Sequence, residues 1–148
     1  MRIRPLEAAD IGQLAQALAG IDPWLHLGYS AAALAGWLGR DDAALTRLAA
    51  TRGGALAGVL GVRSPWLRGP YVELLAVLPG HQGFGLGRTL LDAAVERSGQ
   101  AANLWACVSA SNVPARNFYR RCGFAEVAPL PDLVADGEDE ILLRKRLG

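Results

Sequence analysis

The order of elements predicted along the chain specifies an α+β domain built on a mixed, mostly antiparallel sheet. Three observations carry this reading. Strand-like runs and helical stripes follow one another as β-α-α-β-β-β-α-β-α-β-β, about seven strands and four helices, which is not a strict βαβ repeat. Two of the runs are joined by Gly53-Gly54, a hairpin signal. A glycine-rich stretch, His81-Gln82-Gly83-Phe84-Gly85-Leu86-Gly87, lies between a strand and a helix. The 148 residues are expected to form one domain, 1–148, since no linker or repeat divides them. A chain that is 51% hydrophobic and 20% charged has enough apolar surface for a packed core, which excludes intrinsic disorder.

Each element has a local reason. Arg2–Pro5 is a short first strand. Asp10 stands as an N-cap with Gln13 three residues on, the spacing of a capping box. Ile11, Leu14, Ala15, Leu18 and Ile21 then recur at helical spacing, and Gly20-Ile21-Asp22-Pro23 stops the helix. Ser30 caps a second helix through Leu34, Trp37 and Leu38. The segment between these helices, Pro23–Tyr29, reads as a loop rich in aromatics. Leu45–Thr51, Ala55–Arg63 and Tyr71–Leu78 are strands, the last stopped by Pro79-Gly80. A helix runs from Arg88 to about Arg97, a strand over Asn103–Val108, and a helix over Pro114–Cys122 with Gly123 at its C-terminus. Phe124–Val134 and Glu140–Leu147 complete the sheet.

Composition narrows the partners. A net charge of +1 gives no global attraction for nucleic acid or an anionic membrane. The longest apolar runs, Ser30–Gly39 and Gly53–Val62, are about half of the ~20 residues that a spanning helix needs. The first residues hold no continuous apolar segment, so no secretory signal is expected. Cys107 and Cys122 form neither a CxxC pair nor a metal-ligand cluster, and the expectation is reduced thiols in a cytoplasmic protein without a metal.

A strand, a glycine loop and a helix together outline an anion site, because a helix N-terminus offers unpaired N–H groups. A P-loop needs GxxxxGK[ST]; here Gln82 occupies the first glycine position and Arg88 the lysine position. A dinucleotide loop needs GxGxxG early in a βαβ unit, and Leu90 breaks the third glycine. The stretch reads instead as Q-x-x-G-x-G after Leu75-Ala76-Val77-Leu78-Pro79. About 25 residues later comes Asn112-Val113-Pro114-Ala115-Arg116-Asn117-Phe118-Tyr119-Arg120-Arg121-Cys122-Gly123-Phe124. This pair of motifs resembles the GNAT superfamily of acetyl-CoA-dependent N-acetyltransferases, most strongly over Glu73–Phe124.

The resemblance implies a sheet splayed between its fourth and fifth strands, with acetyl-CoA as cosubstrate in the gap. Leu75, Ala76 and Val77 would bond the pantetheine arm. Gln82, Gly83, Phe84, Gly85, Leu86, Gly87 and Arg88 would wrap the pyrophosphate. Asn112 would either contact the pantetheine or simply cap its helix. Tyr119 matches the family's general acid beside the sulfur; by spacing alone it is equally a core aromatic. Glu73 shares a strand face with Leu75 and Val77 by alternation, which makes it either the base for the amine or a solvated edge carboxylate. One subgroup of the family, acting on a ribosomal-protein alanine, has a Glu five residues before the Asn; Cys107 stands there in this chain.

Trp24, His26 and Tyr29 lie in the loop that covers the acceptor in this family, and are read either as acceptor-binding or as packing residues. Asp132, Asp136, Glu138, Asp139 and Glu140 form an acidic cluster, a solvated face or an attractant for a cationic amine. The acceptor is expected to be a small-molecule or peptide amine, and apolar edge strands are compatible with a homodimer. The alternative from another class is a non-catalytic acyl-CoA-binding sensor on the same fold.

Overall fold

The computed structural model describes residues 1–148. Seven strands, β1 (Arg2–Pro5), β2 (Leu45–Arg52), β3 (Ala55–Arg63), β4 (Tyr71–Val77), β5 (Asn103–Ser109), β6 (Ala125–Ala135) and β7 (Glu138–Arg146), form one sheet. Their order is β1-β2-β3-β4-β5-β7-β6. Every neighbouring pair is antiparallel except β4 with β5. Five α-helical segments accompany them: α1 (Ile11–Ala19), α2 (Trp24–Leu27), α3 (Ala31–Gly39), α4 (Leu86–Glu96) and α5 (Val113–Arg121).

The expected α+β class and mixed sheet are observed, with three local differences. Pro23–Tyr29 is not an open loop, because Trp24–Leu27 makes one helical turn closed by Gly28 in the left-handed region, φ +76°. Asp10 does not cap α1. Its carboxylate instead accepts from Arg4 at 2.7 and 2.9 Å and from the Glu7 N–H at 2.8 Å, fastening β1 to the start of the first helix. α4 begins at Leu86, two residues before the predicted Arg88, since Gly85 at φ +79° turns the chain directly into the helix.

The core is divided by the sheet. On one face α4 and α5 pack Leu86, Leu90, Leu91, Tyr119 and Cys122 against Leu60, Val72, Leu104, Ala106 and Leu143. On the other, α1 and α3 pack Leu14, Leu18, Leu34 and Leu38 against Val59, Leu74 and Ala76. β3 is covered on both faces, which is why it reads as an unbroken apolar run from Ala57 to Val62 rather than an alternating one.

Two irregularities of β4 position the site. The β3–β4 register slips between Gly61 and Val62, where Gly61 faces Leu74 but Val62 faces Val72. Glu73 is the extra residue, a β-bulge. Val72 and Leu74 consequently pack into opposite halves of the core. The parallel β4–β5 ladder holds only at Tyr71–Trp105 and Val72–Ala106, and beyond it the strands separate.

Candidate active site

Past Val72, β4 keeps β3 on one side and has no strand on the other. A cleft of about 770 Å³ opens along this unpaired edge. Leu75, Ala76 and Val77 form its strand wall, and Ala115, Phe118 and Arg121 of α5 line it opposite. Its end is the glycine loop, where Gln82, Gly83, Gly85, Leu86, Gly87 and Arg88 all face the cleft. The Gln82 side-chain amide donates to the Val77 carbonyl at 3.3 Å, tying loop to strand.

The loop's sequence follows from its backbone. Gly83 and Gly85 adopt φ of +86° and +79°, values that side-chain-bearing residues rarely take. No side chain caps α4. The first bond across its entry runs from the Thr89 N–H to the Gly85 carbonyl at 3.1 Å, so the amides of Leu86, Gly87 and Arg88 precede the helical ladder. Their partial positive charge, added to the helix dipole, suits an anion. Gly87 serves packing as well, because a Cβ there would lie 2.9 Å from the Phe118 ring.

A second cavity of about 610 Å³ adjoins the first, and Trp24 and Leu75 line both. Trp24 and Tyr29 come from the α2 segment and Trp37 from α3. Tyr71, Glu73, Cys107, Tyr119 and Glu140 come from the far side. Tyr119 is buried, and desolvation, with Cys107 and Cys122 nearby, pushes its phenol well above the ordinary value. Burial likewise raises the Cys107 thiol, against a Tyr71 hydrogen bond that lowers it, and Glu140 raises it further. At neutral pH both are therefore protonated donors rather than anions.

Several expectations need correction. Alternation along β4 puts Glu73 on the face of Leu75 and Val77, but the bulge breaks that alternation. Glu73 opens on the second cavity, away from the glycine-loop cleft. Arg63 binds it at 2.8 and 3.1 Å. The Phe84 ring is 56% exposed and lies 3.8 Å beneath the Arg52 guanidinium, so only the backbone of this residue is left for the loop's anion-binding role. Asn112 fills one of its two expected roles: it caps α5, accepting from the Ala115 N–H at 3.2 Å. His26 lines neither cavity; its ring pairs with Glu138 of β7, which raises the imidazole's proton affinity.

Tyr71, Trp37 and Arg63 were not singled out by the sequence motifs, and Glu140 only as one member of the acidic cluster. A signal for Glu140 exists nonetheless. Ile141 and Leu143 pack into the α4–α5 core, so by strand alternation Glu140 must face the other way.

An open strand edge leading to a glycine loop and helix N-terminus, backed by a separate aromatic cavity, defines a class of two-cavity α+β domains. The sequence model of the acetyltransferase (GNAT) family matches residues 11–124, and the chain belongs to that family. It is 40% identical over 90 residues to the streptothricin acetyltransferase of Streptomyces lavendulae, a match covering 59% of this chain and 48% of that protein. The chain spans about half the length of the curated relatives it matches. Nourseothricin acetyltransferase is similar in structure at TM-score 0.66 and 34% identity, over 73% of this chain and 68% of the other. An aminoglycoside 6'-N-acetyltransferase complexed with coenzyme A shares the fold at TM-score 0.80 and 14% identity, over 99% and 97% of the two chains.

Proposed function

We propose that this chain is an acetyl-CoA-dependent N-acetyltransferase that passes the acetyl group to a primary amine by direct attack in a ternary complex. The observation that carries the reading is the junction of the two cavities at Leu75 and Trp24. A cosubstrate laid along β4 and an amine held in the aromatic cavity would meet there. The unpaired edge of Leu75–Val77 would pair with the amide groups of the pantetheine arm as a strand does. The amides from Gly83 to Arg88 would hold the pyrophosphate.

In this reading the amine nitrogen bonds to the thioester carbon and the carbon–sulfur bond breaks. The Leu75 N–H polarises the carbonyl. Tyr119 passes its proton to the departing sulfur, a task suited to a phenol that burial keeps protonated. Glu73 receives the proton lost by the nitrogen through a water, using the acceptor sites that Arg63 leaves free on its oxygens. An acceptor that arrives as an ammonium gives this proton before it attacks; the tetrahedral nitrogen then restores the Tyr119 proton and Glu73 releases its own to solvent, with an amide and a free thiol as products. Trp24 and Tyr29 wall the acceptor, and the streptothricin and nourseothricin acetyltransferase relatives support a small-molecule amine.

The test is a panel of amines incubated with acetyl-CoA, read by release of the thiol. Turnover with an amine supports the reading. Coenzyme A binding without turnover of any amine favours the acyl-CoA sensor instead.

A further inference from the structure

The second cavity has an apolar, aromatic wall and a small set of charges, and nearly every charge around it is already matched. Arg40 pairs with Asp42 at 3.5 Å. Arg63 is divided between Glu73 at 2.8 Å and Asp42 at 3.0 Å. Arg47, behind Trp37, donates to the carbonyls of Trp37 and Arg40 at 2.7 and 2.9 Å. His26 is taken by Glu138. Glu140 alone among the lining carboxylates has no cationic partner.

Its position is set by the sheet. Glu140 faces Ser109 across the β5–β7 ladder, and Leu142 faces Cys107. Paired residues share a face, so Glu140 lies beside Cys107, on the cavity side of β7. Trp24, Tyr29, Trp37 and Tyr71 line the same space, with Arg47 over the Trp37 ring and Trp66 stacked on Tyr71, and aromatic rings attract cations. A carboxylate without a counter-ion on a cavity wall attracts a cationic guest through its uncompensated charge. Glu73 offers less attraction, because the Arg63 guanidinium already compensates its charge.

We propose that Glu140 is the carboxylate that docks the acceptor's ammonium group, and that the acceptor carries its amine on an apolar or aromatic body. The inference rests on reading the second cavity as the acceptor site. It assigns Glu140 to specificity, and leaves acid and base chemistry to Tyr119 and Glu73.

Phenethylamine is the probe, titrated calorimetrically into the full chain saturated with coenzyme A, with 2-phenylethanol as the neutral isostere. Glu140→Gln should weaken phenethylamine by about tenfold and leave 2-phenylethanol within about twofold. Glu140→Asp, which keeps the charge, should stay within about threefold of the wild type for the amine. Three results overturn the proposal: an unchanged amine affinity in Glu140→Gln, an equal loss of both probes, or no binding of phenethylamine to the wild type at millimolar concentration. Loss of acetyl transfer is a separate outcome. If no thiol is released while the Glu140-dependent affinity persists, the transfer reading fails and the docking assignment stands.

Discussion

Arg63 grips both carboxylate oxygens of Glu73, through Nε at 2.8 Å and Nη2 at 3.1 Å, and the same Nη2 reaches Asp42 at 3.0 Å. The bulge that makes Glu73 an extra residue in β4 therefore also turns it toward an arginine on β3. Bidentate pairing fixes a planar group in one orientation, which a lone edge carboxylate would not have.

This geometry predicts the behaviour of Glu73→Gln. Glutamine keeps one acceptor oxygen for Arg63 but removes the proton acceptor. kcat/KM should fall at neutral pH by about 10²-fold, the size of a lost general base. The loss should shrink as pH rises and the amine becomes neutral unaided. Acetyl-CoA affinity should hold, since strand edge and glycine loop are untouched. A rate–pH series together with a coenzyme A titration separates this from simple positioning, which gives the same deficit at every pH.

Tyr119→Phe removes a hydroxyl and keeps the ring that packs against Phe124, whose centroid is 5.3 Å away. kcat should drop by about 10²–10⁴-fold, with coenzyme A affinity little changed. The sign of the pH effect follows from burial, which raises the phenol above its usual value. The acid form therefore persists as pH climbs, and the wild-type rate should not decline through the ordinary phenol range near ~10. Steady-state rates with an acceptor at saturation check both statements.

Gly85 and Gly87 should fail differently when changed to alanine. At Gly85 nothing lies within 4 Å of the added Cβ, but φ is +79°. The expected result is backbone strain of about 1–2 kcal/mol and weaker coenzyme A binding as the loop relaxes. At Gly87 the Cβ meets the Phe118 ring at 2.9 Å, forcing α4 from α5. Overpacking of this kind costs about 1–3 kcal/mol and should appear first as a lower Tm. Thermal denaturation beside calorimetric titration distinguishes the two.

Acid sensitivity should involve Asp10. The Arg4 guanidinium, followed by the Glu7 N–H, holds this carboxyl below its ordinary value of 3.8, against the opposing effect of burial. Because the folded value is depressed, the stabilisation is present above 3.8 and is lost as pH falls from there through the folded value. Asp10→Asn should therefore unfold at lower urea than the wild type at neutral pH. Urea midpoints measured down to about pH 3 should converge as the wild-type carboxyl gains its proton.

Much of the cleft beside β4 was legible as local pattern. The positive φ of Gly83 and Gly85 is a demand only glycine meets comfortably, and the loop between strand and helix shows in the residues themselves. The stripe Ala115, Phe118, Tyr119, Cys122 likewise defines which side of α5 faces inward, because helical spacing is local. Asn112 shows the boundary of such reasoning: the same residue fits a ligand contact or a cap, and it is the fold that brings the Ala115 N–H onto its side-chain oxygen.

What tertiary structure alone decided lies between residues distant in sequence. His26 pairs with Glu138, 112 positions away, and does not line the second cavity beside Trp24 and Tyr29. Phe84 turns outward onto Arg52, a residue of the β2–β3 hairpin. The face of Glu73 depended on where β3 and β4 slip, and alternation read along one strand cannot register an extra residue defined by its neighbour. Glu140 had a readable direction from Ile141 and Leu143, but its lack of a counter-ion emerged only when Arg63, Arg40 and His26 were each paired elsewhere. The sequence by itself determined the α+β class, the glycine loop and the inward face of α5, because periodicity and backbone conformation act over a few residues. The partners of each charge were settled by folding, because Coulomb attraction and desolvation depend on distances that exist only in the assembled sheet.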